Sequence, residues 1–352
     1  MEYSYHDQVD MQNIDYIRNI CDTLPKYVKT FFRGIQQTHS SRSRLIYARD
    51  IKNFFEYILE VYTDANLNSF MDISLDILSN LDAEFIIDYM DYLQKYEKNG
   101  RIYTNNRSTI KRKLASISVF YKYLYKHGHV TQNPISKVDF PKLHSKEIIR
   151  MEPNEVASFL DNVEFGSNLT LKQQTYHTKT KTRDLALLTL MLSTGIRISE
   201  CVGLDMNDVD FNNTCIKITR KGGKEQLVYF SDEAATSLKD YIEERKKIEP
   251  LTGHSNALFL STQKKRISVR TVENLVKKYA QGSVPLKKIT PHKLRSTYGT
   301  SLYQETDDIY LVADVLGHSD VNTTKKHYAD IDNNRRRSAR NKVTLREKNS
   351  QN

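Results

Sequence analysis

Apolar residues in the first third of the chain recur at three- and four-residue intervals, the pattern of helices with one buried face. Between Arg44 and Tyr62, the positions Leu45, Ala48, Ile51, Phe54, Phe55, Ile58, Leu59 and Tyr62 build one such stripe. A second helix is predicted to start at Asp82 as N-cap and to carry Phe85, Ile86, Tyr89, Met90 and Leu93 inward. A third spans about Ser108 to His127, with Ile110, Leu114, Ile117, Phe120, Tyr121 and Leu124 inside and Gly128 closing it. The periodicity stops at Asn133-Pro134. Residues Ser136 to Met151 hold one further proline and several lysines without a hydrophobic period, and read as a linker.

The helical pattern resumes near Glu152, with one interruption. Cys215 to Thr219 and Gln226 to Phe230 are short β-prone runs flanking Arg220-Lys221-Gly222-Gly223-Lys224-Glu225, and the Gly-Gly pair supplies the positive φ that a tight turn requires. A chain of 352 residues is too long for one core, since a single core rarely grows past about 250 residues. Two domains are therefore predicted, mainly α with a small β-hairpin. The expected division is an N-terminal extension at 1–25, a helical domain at 26–135, a linker at 136–151, a second domain at 152–330 and a tail at 331–352. No internal repeat is present.

Charge adds a direction to this outline. The formal net charge of +10 favours an anionic partner, either nucleic acid or an acidic membrane surface. From Ile51 to Gly100 the chain holds three Lys/Arg against ten Asp/Glu, and from Arg101 to Arg150 eleven against two. If DNA is the partner, such an imbalance keeps one face off it and aims another at it. Arg107, Lys111, Arg112 and Lys113 lie on the first turns of the third helix and are candidate DNA contacts, with a merely solvated face as the ordinary alternative. The tail after Asp330 carries seven Lys/Arg and two acids, and reads as disordered or as a short helix that needs a partner surface. The longest apolar run, Leu185 to Leu192 broken by Thr189, is far shorter than a membrane span, and the first 30 residues lack a signal-peptide core. A cytoplasmic protein without a membrane partner is expected. Cys21, Cys201 and Cys215 are scattered and unpaired in sequence, which suggests neither a disulfide framework nor a zinc site.

Four local patterns carry candidate chemistry. Thr194-Gly195-Ile196-Arg197-Ile198-Ser199-Glu200 follows the apolar run, and Lys221 sits on the hairpin tip 24 residues after Arg197. Pro291-His292-Lys293-Leu294-Arg295 places His292 and Arg295 one helical turn apart. Leu316-Gly317-His318-Ser319 is followed by Thr323-Thr324 and, ten residues after His318, by Tyr328. Each alone has an ordinary reading: an ion pair, a solvated turn, a chance spacing, one tyrosine among 22. Their order and spacing together do not.

The runs TGIRISE, TRKGGKEQLV, TPHKLR and LGHSDVNTT resemble those of the tyrosine recombinases, the phage integrases and Xer-type recombinases, and the likeness covers almost the whole chain. The opening LPKYVKTFF and the Lys/Thr-rich insertion before Arg183 look most like the single-protein Xer enzymes of streptococci and their relatives. The resemblance implies a two-domain DNA clamp, with a helical core-binding domain up to Asn133-Pro134 and a catalytic domain from Glu152 to Asp330. It implies a site-specific recombinase acting on double-stranded DNA. Arg197 and Arg295 match the two guanidiniums that hold the charge gathering on the scissile phosphate. Tyr328 matches the nucleophile, His292 its proton acceptor, and Lys221 the acid that protonates the leaving 5′-oxygen. Lys224, on the same turn, is the competing choice of acid and otherwise a DNA contact. His318 would hydrogen-bond a non-bridging oxygen, and Glu200 would orient its neighbours. The 3′-phosphotyrosyl link keeps the phosphodiester's bond energy, so neither ATP, metal nor other cofactor is implied. Four protomers on two DNA sites would exchange strands through a four-way junction, with part of the segment from Asp330 to Asn352 docked on a neighbour.

Two positions depart from the family pattern. Ser296 stands where the family often has histidine, and the step from His318 to Tyr328 is one residue longer than in the paired Xer enzymes, which brings His327 beside the nucleophile. His327 is read as solvated or DNA-facing. Some 25 residues precede the helical domain, too few for the additional arm-binding domain of lambda-like integrases, so a simple Xer-like arrangement is expected. The rival readings are a type IB topoisomerase, a DNA-binding regulator that has lost catalysis, and a His-dependent metallonuclease. Filled catalytic positions disfavour the second, and the LGHSD run disfavours the first.

Overall fold

In a computed structural model the described residues are 3–62, 67–143, 149–220, 223–317, 320–322 and 324. The chain divides into two units, Met1–Lys146 and Glu147–Asn352. It is mostly helical with small antiparallel sheets, as the periodicity predicts.

The first unit begins with α1 (Tyr5–Cys21), α2 (Lys26–Gly34) and α3 (Ser41–Val61), followed by the short α4 (Leu75–Asn80) and by α5 (Ala83–Gln94). Asp82 caps α5 as expected, its carboxylate accepting from Phe85 N at 2.9 Å. Strands β1 (Lys95–Lys98) and β2 (Arg101–Thr104) form a hairpin, and α6 (Arg107–Lys126) completes the unit. The predicted stripe of α3 is buried at Leu45, Ala48, Ile51, Phe54, Phe55 and Ile58, against Ile110, Leu114, Ile117 and Phe120 of α6. Burying such side chains stabilises the unit by roughly 1.5–3 kcal/mol each, before entropy is counted.

Three features of this unit differ from the sequence-based expectation. The segment expected as an N-terminal extension holds α1, Tyr5–Cys21, which packs on α3 and buries Ile17 and Cys21 in the common core. Hairpin β1–β2 was not expected, although Asn99-Gly100, with φ of 51° and 69°, is a strong turn signal. Its strands lack an apolar period: Lys95, Glu97, Lys98 and Arg101 are exposed, and the cross-strand contact is the stacked pair Tyr96 and Tyr103, 5.3 Å apart. The linker is also shorter than 136–151. Pro134–Lys137 forms a 3-10 turn, with Val138 and Phe140 packed against the first core. At the other end, Met151 is buried and its N–H donates to Thr297 Oγ1 at 3.0 Å within the second unit.

In the second unit α7 (Pro153–Phe165) precedes α8 (Leu171–Thr194), whose buried Ala186, Leu187, Leu188, Leu190 and Met191 make it the central helix. Next come α9 (Ile198–Gly203) and an antiparallel sheet of β3 (Val209–Asp210), β4 (Cys215–Thr219) and β5 (Glu225–Tyr229). The hairpin falls where expected; β3, at two residues, is too short to leave a periodic trace. Helices α10 (Asp232–Arg245), α11 (Val269–Ser283), α12 (Pro291–Thr306) and α13 (Ile309–Leu316) follow, with α7, α10 and α12 packed around α8. A buried polar knot fixes α8 to α11: Asp184 accepts from Arg183 Nη2 at 2.6 Å, Tyr279 OH at 2.8 Å and Thr180 Oγ1 at 3.0 Å.

Candidate active site

Helix α8 ends at Gly195 in the left-handed conformation, φ 61°, and the chain turns at once into α9. This turn places Arg197 at the N-cap of α9 and Glu200 in its first turn. The Glu200 carboxylate is buried and takes three donors: Arg197 N at 2.8 Å, Arg197 Nη1 at 2.8 Å and Arg220 Nη1 at 3.1 Å. Its single negative charge is shared between two guanidiniums, and it also satisfies an orphan N–H of the helix start.

Helix α12 contributes the next pair. Pro291 occupies its first position, where a missing N–H costs nothing, so His292 and Arg295 follow one turn apart. His292 is exposed and Arg295 is buried. Arg295 Nη1 donates to Gly195 O at 2.7 Å and Nη2 to Leu316 O. Ser296 directs its hydroxyl back to His292 O at 3.0 Å, so the departure from the family pattern is absorbed as a bond within α12.

The end of α13 is the meeting point. Arg197 Nη2 donates to Gly317 O at 3.3 Å, Arg295 to Leu316 O, and Arg220 to Leu316 O at 3.2 Å and Val315 O at 2.8 Å. The last carbonyls of a helix lack intrahelical donors and carry partial negative charge, which accounts for cations collecting there. Of the expected site residues, Arg197, Arg295 and Glu200 are thus brought together, and His292 lies one turn before Arg295. Lys224 is exposed on the hairpin. Lys221, His318 and Tyr328, together with His327 and the tail, lie outside the described residues.

Arg220 was not singled out from the sequence. Beside Lys221 and two glycines it reads as one more turn cation, and its carbonyl partners are 95 and 96 residues further along the chain. Burial pulls its pKa down, opposed by the adjacent Glu200 carboxylate.

In the first unit, the four candidate DNA-contact cations on the first turns of α6 separate into two kinds. Arg107 is exposed and Lys111 half-buried. Arg112 pairs with the buried Asp50 while its side chain stays 45% exposed. Lys113 is only 8% exposed and donates to Asn53 Oδ1 at 2.6 Å; burial, its main perturbation, lowers its pKa. The expectation of a DNA contact is corrected for Lys113, which belongs to a polar network with Asp50, Asn53, Ser116 and Tyr89 inside the unit. Beside this network, Arg49, Lys52 and Lys98 line an open concavity with Glu56 and Tyr96.

Among the described residues, no group of three or more His, Cys, Asp or Glu side chains is placed to hold a metal ion, and no helix is long and apolar enough to cross a membrane.

Residues 150–335 match the phage integrase family. Tyrosine recombinase XerS of Lactococcus lactis subsp. cremoris (strain SK11) is 30% identical over 338 residues, covering 89% of this chain and 93% of that protein. Tyrosine recombinase XerS of Streptococcus agalactiae serotype III (strain NEM316) is 30% identical over 357 residues, covering 95% and 98%. The expected likeness to streptococcal Xer enzymes therefore holds. Among solved structures, XerH bound to palindromic difH substrate in a post-cleavage complex superposes with a TM-score of 0.62 at 18% identity, over 92% of this chain and 93% of that one. A lambda integrase dimer bound to a COC′ core site gives 0.59 at 14% identity, over 86% and 93%. These two establish the fold. By its family match and its relatives, the chain belongs to the phage integrase family: it is a tyrosine recombinase, a DNA breaking-rejoining enzyme.

Proposed function

We propose that the enzyme is a site-specific recombinase that cuts each strand by attack of Tyr328 on the scissile phosphate. The observation that carries this reading is the convergence of Arg197, Arg295 and the Glu200–Arg220 pair at the end of α13, directly ahead in sequence of His318 and Tyr328. Arg197 and Arg295 hold the non-bridging oxygens, and His318 adds a hydrogen bond. As the Tyr328 Oη–phosphorus bond forms, its phenol proton passes to His292. The bond from phosphorus to the 5′-oxygen breaks, and Lys221 gives that oxygen a proton. A 5′-hydroxyl from a second duplex then reverses these steps on the phosphotyrosine, and strands are exchanged through a four-way junction. The structures of XerH and lambda integrase on their DNA support a duplex site as partner.

The first unit acts as the core-binding clamp and 152–330 as the catalytic domain, in a homotetramer on two sites in the cytoplasm, with the segment 331–352 docked on a neighbour. The test is a plasmid carrying two copies, in direct repeat, of a duplex first selected by covalent capture. The expected product is the deletion circle, formed equally well in EDTA. A change in linking number without deletion would mean a topoisomerase, binding without adduct a regulator, and loss of cleavage in EDTA a metallonuclease.

Arg107 and Lys111 are the proposed phosphate contacts on α6, with Arg112 beside them and Lys224 on the catalytic domain. The double variant Arg107→Gln/Lys111→Gln is expected to flatten the slope of log affinity against log salt by about two. Lys113→Gln is expected to leave the slope unchanged and lower thermal stability instead. An unaltered slope in the double variant returns these cations to an ordinary solvated face.

A further inference from the structure

We propose that Arg220 is a positioning residue that sets the place from which Lys221 delivers its proton; the inference rests on Lys221 being the general acid. Arg220 is 7% exposed, and its guanidinium is held on every nitrogen. Nε donates to Gln226 Oε1 at 3.0 Å, Nη1 to Glu200 Oε2 at 3.1 Å and Leu316 O at 3.2 Å, and Nη2 to Val315 O at 2.8 Å. Its backbone closes the hairpin turn: Arg220 N donates to Lys224 O at 2.7 Å, and Gly223 N to Arg220 O at 3.1 Å. One residue thus belongs both to the neck of the β4–β5 turn and to the end of α13.

The contact is built on both sides. A Cβ on Gly317, whose φ is 62°, would lie 2.8 Å from Arg220 Cζ and Nε, so the backbone lies against the guanidinium where no side chain fits. The next residue after Arg220 is Lys221, and the next after Gly317 is His318. Through Glu200 the same guanidinium is coupled to Arg197. Burying a cation is costly, and an apolar side chain would pack as well if packing were all that was needed. What an apolar residue cannot do is tie the turn that carries the acid, by directional bonds, to the arginine that holds the phosphate.

A positioning role for the acid and a general structural role differ in one measurable respect. In a duplex with sulfur in place of the bridging 5′-oxygen, attack by Tyr328 breaks the phosphorus–sulfur bond and releases a thiolate. A thiol has a pKa of about 8.5, far below that of an aliphatic hydroxyl, so its departure needs no proton donor. On the ordinary duplex, adduct formation is expected to slow about 10²- to 10⁴-fold in Lys221→Ala and about 10- to 100-fold in Arg220→Gln. Both should return close to the wild-type rate on the sulfur duplex, with DNA affinity unchanged. If Lys221→Ala is rescued while Arg220→Gln and the milder Arg220→Lys lose equally on both duplexes, the proposal for Arg220 is overturned. If Lys221→Ala itself is not rescued, Lys221 is not the acid, and the proposal falls with that assignment.

Discussion

Replacing Tyr328 by phenylalanine is expected to abolish the covalent adduct while leaving DNA affinity at the wild-type level. The substrate is a recognition duplex nicked a few nucleotides beyond the scissile phosphate, so that cleavage releases a short strand and the reverse reaction loses its 5′-hydroxyl. Wild-type enzyme then accumulates as a protein–DNA band. Removing the sole nucleophile of a covalent mechanism costs at least about 10⁴-fold, the scale seen when a catalytic nucleophile is deleted elsewhere. The rival to exclude is Tyr298, not a tyrosine chosen at random. Its ring carbon Cδ1 lies 2.4 Å from where a Cβ on Gly195 would stand, next to the carbonyl that accepts from Arg295. Burial raises the pKa of its phenol, which makes it a poorer nucleophile. Tyr298→Phe should therefore keep the adduct. An adduct in Tyr328→Phe that vanishes in Tyr298→Phe would move the nucleophile.

The sequence was most readable where local rules act. The α3 and α6 stripes, the Asp82 cap and the hairpin around Arg220 to Glu225 each follow from spacing or turn chemistry within a few residues. The ends were less so. Helix α1 has a weak apolar face, with Ile17 and Cys21 buried, and is held by packing on α3 that no local pattern announces. The same limit governs the site. Arg197, Glu200, His292 and Arg295 could be chosen because the order and spacing of their runs resemble those of a known family, although each run alone has an ordinary reading. Arg220 could not, because its meaning lies in carbonyls at Val315 and Leu316. Lys113 failed in the opposite direction: three neighbouring cations made it look like surface, whereas the helical period turns it toward Asp50 and Asn53.

Glu200→Ala is expected to be the most destabilising single change at the site. The carboxylate is 3% exposed and is shared by Arg197 and Arg220, the latter 7% exposed at its side chain. Its removal leaves a buried guanidinium next to a second one with no anion between them. Breaking one partner out of a buried pair costs about 3–5 kcal/mol. For a unit of this size that lowers the melting temperature by roughly 6–20 °C, at about 2–4 °C per kcal/mol. Cleavage should also fall, because Arg197 loses the bond that fixes its fork. The two effects can be separated with a second substitution. In Glu200→Leu/Arg220→Met the uncompensated charge is gone, so most of the stability should return, whereas adduct formation should stay low because Arg197 still lacks its carboxylate and the tie from the hairpin to α13, made by Arg220, is now lost as well. Thermal unfolding and adduct yield measured on the same preparations decide the matter. A loss below about 1 kcal/mol in Glu200→Ala, the range of a surface pair, would show that Glu200 does not anchor the arginines. Recovery of cleavage together with stability in the double variant would show that it anchors them only for folding.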